Sequence, residues 1–259
     1  MGIKDLKPQL IWSYFDEITR VPRPSKKEEK IRAYLLDFAK KHNLTVRTDA
    51  TGNVLICKSA TPGCEDRPGV ILQSHMDMVC EKNAGVEHDF DKDPIDVYID
   101  GEWVKARGTT LGADNGIGMA AALAVLASDD LVHPSLEALF TVDEETGLTG
   151  AFGMEEGFIS GKYLLNLDSE DEAEIFIGCA GGIDTTSTFT YTTYPFPAGY
   201  VALRISVSKL QGGHSGSDIN EGRGNANKIL ARFLCQCIGK YDMQLCAIDG
   251  GNLRNAIPR

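Results

Sequence analysis

The run from Gly69 to Val79, GVILQSHMDMV, constrains this chain more than any other feature. It has the length and the β-branched, apolar content of a core strand. Yet His75 and Asp77 sit two apart near its C-terminal end. Alternate residues of a strand share a face, so both side chains are expected to project together from that end. A buried carboxylate is costly unless it is paired or bound to a metal. The run therefore signals either a structural His–Asp hydrogen bond or one edge of a reactive site, and the rest of the chain has to decide.

The flanking pattern alternates helices and strands. Ser25 to Glu28 reads as a capping box that opens a helix with Ile31, Tyr34, Leu35 and Phe38 on its apolar face. Strand signals follow at 44–48 and 54–58, joined by a turn at Thr51-Gly52-Asn53. A loop-rich region spans 81–110. The stretch 116–126, GIGMAAALAVL, reads as a buried helix, and 135–142 and 162–168 as further apolar strands. This order predicts an α/β fold, with a mixed sheet covered by helices on both faces. Near residue 186 the texture becomes Thr- and Tyr-rich. Strands at 201–207 and near 243–248, with a helix over 225–238, predict the start of a second, α+β domain. The boundaries read 1–186 and 187–259.

Bulk properties narrow the function classes. The 259 residues carry a net charge of −11, unfavourable for nucleic acid or an anionic membrane surface and favourable for cations. No apolar stretch reaches the roughly 18 residues that a membrane span needs. No signal core or myristoylation motif opens the chain. The seven cysteines form no CxxC pair and fit reduced thiols in the cytoplasm. Cys235 and Cys237 read as buried small hydrophobes, and Cys179 as a core thiol with no identifiable base beside it. No GxGxxG or P-loop pattern occurs.

Three further clusters join the first. Asp114 lies in TTLGADNGIG, where it would cap the following helix, but the three glycines around it suit a backbone approached closely by another group. Glu144 and Glu145 follow an apolar strand in FTVDEETG, and Asp168 ends another in LLNLDSEDE. The acids after Asp168 read as solvated loop. Three clusters thus fall at C-terminal strand ends, where open α/β sheets place their sites. One histidine and several carboxylates, without cysteine, suit a hydrolytic divalent-metal site.

SHMD, GADNG, DEETG and NLDSE, in that order and spacing, resemble the dinuclear zinc peptidases of the M20 family. GEWVKARGTTLGADNGIGMA, IGCAGGID, GGHSG and LRNAIPR are similar to its aminoacyl-histidine dipeptidase subgroup. The resemblance covers this whole chain and about the first half of the family's length. It implies two divalent ions, zinc by preference, and hydrolysis of Xaa-His dipeptides. His75 and Asp168 would bind the first ion, Asp114 would bridge, and Glu145 would bind the second. Asp77 would orient His75, and Glu144 would act as general base on water. His214, in a lid domain, would polarise the scissile carbonyl, with Asn255 and Arg259 near the substrate. A homodimer formed through the lid is implied as well.

The family's second ion also needs a histidine from near the end of its chain, a region with no counterpart here. His42 reads as exposed at a helix end, and His88 and His133 as loop residues. None of the three is drafted as a ligand. The chain therefore reads as a fragment, expected to have little or no activity by itself. Another M20-type hydrolase (a tripeptidase, carboxypeptidase or deacylase) and a non-catalytic metal-binding protein are the competing readings.

Overall fold

The computed structural model describes residues 2–169, 173–179, 181, 185–195, 198–251 and 255–259. Its elements are α1 (Gln9–Thr19), α2 (Glu29–Lys41), β1 (Thr45–Thr48), β2 (Val54–Lys58), β3 (Val70–His75), β4 (Val97–Asp100), β5 (Trp103–Ala106), α3 (Ala113–Ala127), β6 (Leu136–Thr141), α4 (Glu144–Gly147), α5 (Thr149–Phe152), β7 (Tyr163–Asn166) and α6 (Ala226–Tyr241). The chain divides into two compact units, 1–181 and 182–259.

The first unit is built on a five-stranded sheet of order β1-β2-β6-β3-β7. β1, β2 and β6 pair antiparallel, whereas β6, β3 and β7 run parallel. The sheet is thus mixed, as expected. The cover on its two faces is unequal. Val54, Ile56, Leu72, Ala138 and Phe140 pack with Phe15 and Ile18 of α1, Ile31, Leu35 and Phe38 of α2, and Met119 and Leu123 of α3. The alternate residues Leu55, Ile71 and Leu139 form a smaller cluster under Phe158. The period-two alternation of each strand separates these two sets.

Local departures from the sequence reading have physical causes. β3 ends at His75, so Asp77 lies beyond the ladder, in a segment bridged to Pro24 through Met78. Ser25 does not cap α2: its hydroxyl donates to Asp77 Oδ2 at 2.7 Å, and the helix begins after Glu28 without a side-chain cap. Glu28 instead accepts from the amides of Lys26 and Asp143. The region read as loop contains the β4–β5 hairpin, whose signal is Asp100-Gly101 between alternating segments.

In the second unit, α6 is capped by Asn225, whose side chain accepts from the Lys228 amide. The stretches 201–207 and 243–248, expected as strands, pair with nothing among the described residues. Val201 and Leu203 are exposed there, and a strand without a ladder partner leaves its amides and carbonyls to water. Cys237 is buried on α6, but Cys235 and Cys179 are exposed, which corrects their reading as buried residues. The acids at 170–172, part of the IGCAGGID block (180 and 182–184) and part of the LRNAIPR block (253 and 254) lie outside the described residues. Among the described residues no helix is long and apolar enough to cross a membrane.

Candidate metal centre

Parallel pairing of β6, β3 and β7 brings their C-terminal ends side by side. His75 pairs in register with Thr141, and Gln73 with Asn166. The residues just after these strands, Glu144, Glu145 and Asp168, are therefore delivered next to His75. Asp114 arrives from the entry to α3, where its own backbone is extended (φ −80°, ψ 112°) and Gly112 is the cap position. It thus stands outside the regular helix and does not cap it.

The side chains converge on His75. Its Nε2 lies 2.9 Å from Asp114 Oδ1 and 3.5 Å from Asp168 Oδ1. One ligand atom from each of these three residues falls within 4.8 Å of the others, and the same holds for His75, Glu144 and Glu145. His75 is fully buried, whereas the Asp114 carboxylate is half exposed and opens the cluster to solvent. Nδ1 of His75 faces Asp77 Oδ1 at 3.2 Å.

Asp77 is completely buried yet fully engaged. It also accepts from the Ser25 hydroxyl and from the amides of Glu144 (3.0 Å) and Glu145 (3.2 Å). Burial works against its charge, but the bonds from His75, Glu144 and Ser25 outweigh it and hold the carboxyl below the usual range. One carboxylate therefore anchors both the imidazole and the backbone of the two glutamates.

The cluster is short of positive charge. Burial, followed by repulsion from Asp114, pushes the Glu145 carboxyl up to about 7. Glu144 is likewise raised, first by burial. Burial alone would lower His75, but its hydrogen bonds to Asp114, Asp168 and Asp77 dominate and push it up to about 12. A proton on the ring thus offsets the charge of the surrounding carboxylates, a task that a bound cation would take over. An imidazole and several carboxylate oxygens make a nitrogen–oxygen donor set suited to zinc or a similar divalent cation. A cation there relieves the same repulsion, so the residues fit such an ion.

Asn115 was not singled out from sequence. It is buried, donates from Nδ2 to Asp168 Oδ1 at 2.6 Å, and its own Oδ1 has no partner among the described residues. Its neighbour Gly118 leaves room for it, since a β-carbon there would collide with that Oδ1. The adjacency of Asn115 to Asp114 in GADNG was the only available signal.

In the second unit, GGHSG pairs with the end of the chain. His214 bridges to Ala256, the Ile257 amide donates to Gly213 O, and the Ser215 amide donates to Asn255 O. The His214 Nδ1 accepts from the amides of Gly216 and Ser217, both at 3.1 Å. An amide can only donate, so in neutral His214 the proton sits on Nε2. Asn255 and Arg259 are in this structural group: the aliphatic part of Arg259 packs against Gly212.

A model of the peptidase family M20/M25/M40 matches residues 71–221, and a peptidase dimerisation domain matches 205–259. This chain belongs to the M20 family. It is 51% identical over 257 residues to the cytosol non-specific dipeptidase of Escherichia coli (strain K12), covering 99% of this chain and 53% of that one. The crystal structure of aminoacylhistidine dipeptidase from Vibrio alginolyticus aligns over 100% of this chain and 53% of its own, at 51% identity and a TM-score of 0.70. A tripeptidase from Staphylococcus aureus, 17% identical with a TM-score of 0.54 over 98% of this chain and 64% of its own, shares the fold. This M20 chain spans about half the length of the curated relatives it matches.

Proposed function

We propose that this chain carries the metal-binding half of a dipeptidase that cleaves Xaa-His dipeptides. The observation that carries the proposal is the convergence of Asp114, Asp168, Glu144 and Glu145 on the buried His75 in a family of peptidases. His75 and Asp168 would hold a first divalent ion, Asp114 would bridge to a second, and Glu145 would hold that one. Zinc is the preferred ion for such a donor set. When bound, these ions supply Lewis acidity toward a peptide carbonyl and toward water.

The roles of the chain's own residues follow from placement. Glu144, with its carboxyl raised by burial, is suited to take a proton from water and return it to the leaving amine. Asp77 keeps His75 oriented through Nδ1 and keeps Glu144 in register through its amide. His214, carrying its proton on Nε2, is suited to donate a hydrogen bond to the scissile carbonyl oxygen. Asn255 is proposed to contact substrate from the same paired segment.

The first unit is proposed as the catalytic domain and the second as a lid that also dimerises, in line with the dimerisation-domain match. A cytoplasmic location is proposed as well, supported by the name of the Escherichia coli relative. A tripeptidase or another M20 hydrolase is a weaker reading, because the likeness to that group is confined to the fold.

The test is hydrolysis of a panel of Xaa-His and other dipeptides by the natural protein with zinc, alongside Glu144→Gln. We expect turnover of Xaa-His dipeptides to fall by about 10²–10⁴-fold in the variant, with zinc retained. Unchanged turnover in the variant would make the catalytic reading wrong.

A further inference from the structure

Arg23 lies between α1 and α2 in the segment PRPS, and it is the largest of the fully buried side chains. Among the described residues its guanidinium makes no ion pair with a carboxylate. It spends its donors on three backbone carbonyls: Nη1 donates to Met76 O (3.2 Å) and Asp77 O (2.7 Å), and Nη2 donates to Gly112 O. The Arg23 carbonyl in turn accepts from the Met78 amide. Two residues on, Ser25 holds the Asp77 carboxylate. A single short segment therefore grips both the His75–Asp77 loop and the loop that presents Asp114.

The glycines of GADNG explain themselves against this group. A β-carbon on Gly112 would lie 2.6 Å from Nη2, and one on Gly116 2.7 Å from it. Gly112 also has φ +71°, where glycine is favoured. The close approach foreseen at these glycines is made by Arg23.

Burial lowers the guanidinium pKa to about 10, against the opposing pull of Asp77, Cys80, Asp114 and Glu145, so the group stays charged at neutral pH. A planar fork that reaches three acceptors at once is a task for arginine that a lysine ammonium does not reproduce. Its charge also sits among the carboxylates whose mutual repulsion would otherwise spread the two loops.

We infer that Arg23 is a positioning residue of the metal centre: it sets the separation of the His75 and Asp114 loops, so that both ligands stand ready before an ion binds. The inference rests on the reading that this cluster binds a divalent cation.

The experiment is zinc affinity of the full chain, measured by competition with a chromophoric chelator, for wild type, Arg23→Lys, Arg23→Met and Gly116→Ala. Circular dichroism and melting of the zinc-free proteins run alongside. Loss of a group that orients metal ligands weakens binding by about 10–100-fold. We expect Kd to rise by that amount in Arg23→Met, and by at least about tenfold in Arg23→Lys, which retains the charge but not the fork. Gly116→Ala keeps Arg23 but pushes on Nη2, and its Kd is expected to rise even if both Arg23 variants fail to fold. Folded variants that melt lower but bind zinc as tightly as wild type would overturn the inference and leave Arg23 as a packing residue. If wild type itself binds no zinc, the metal reading fails first, which is a different result.

Discussion

Asp77 shows how residue chemistry and position combine. A carboxylate with no exposure is tolerated here because it receives hydrogen bonds from His75, Ser25 and two backbone amides. Asp77→Ala would leave those donors unpaired and free the imidazole. We expect zinc affinity to drop about 10–100-fold, read by chelator competition, with a smaller loss in Asp77→Asn. His42 gives a residue-scale pH prediction away from the metal centre. It is half-buried, faces Tyr14 Oη at 3.3 Å and lies against Phe38, and burial lowers its pKa below the ordinary value of 6.5. The neutral ring is thus the form the fold prefers. Its stabilising contribution is present above pH 6.5 and is lost as pH falls through the depressed folded value. An NMR titration of the His42 ring should give a midpoint below 6.5, and a midpoint above it would contradict this environment. The exposed state expected for this histidine from sequence missed the aromatic side chains that fold over it.

At the scale of elements, the centre depends on strands ending together. β6 is buried along its whole length, and Phe140 on it packs under α1, α2 and α3 just before the Glu144–Glu145 turn. Phe140→Ala should cost about 3–5 kcal/mol in denaturant unfolding, the range for a large core truncation. A loss under 1 kcal/mol would mean the strand is not packed as described. β3, β6 and β7 were legible from apolar content and length. That they are parallel neighbours was not, because a single strand carries no record of its partner. The β4–β5 hairpin was legible in principle through Asp100-Gly101, but its polar surroundings masked it. The expected capping box at Ser25 shows the reverse error: the local motif was present, and Asp77, 52 residues away, took the hydroxyl. Tertiary contacts outcompeted a local bond of similar strength.

At the scale of the molecule, the two units hold different parts of the proposed chemistry. The proposed metal ligands all lie in the first, and His214 lies in the second. Metal binding should therefore stabilise the first unit by mass action. At about 100 times its Kd, zinc is expected to add about 2.7 kcal/mol. That should raise the melting temperature of the first unit by roughly 5–10 °C in calorimetry, reversed by a chelator. A melting curve indifferent to zinc and chelator would speak against the metal centre. The sequence by itself determined the strand-end placement of His75, Glu144 and Asp168, because hydrophobic periodicity marks where a buried strand stops and a polar residue begins. It also determined the donor chemistry and the family. Only the tertiary structure decided that these ends are adjacent, that Asn115 joins Asp168, and that Arg23 grips two loops 53 and 89 residues away through Met76 and Gly112. The reason is physical: a side chain that bonds backbone carbonyls selects them by distance in the folded chain, and carbonyls are the same at every residue.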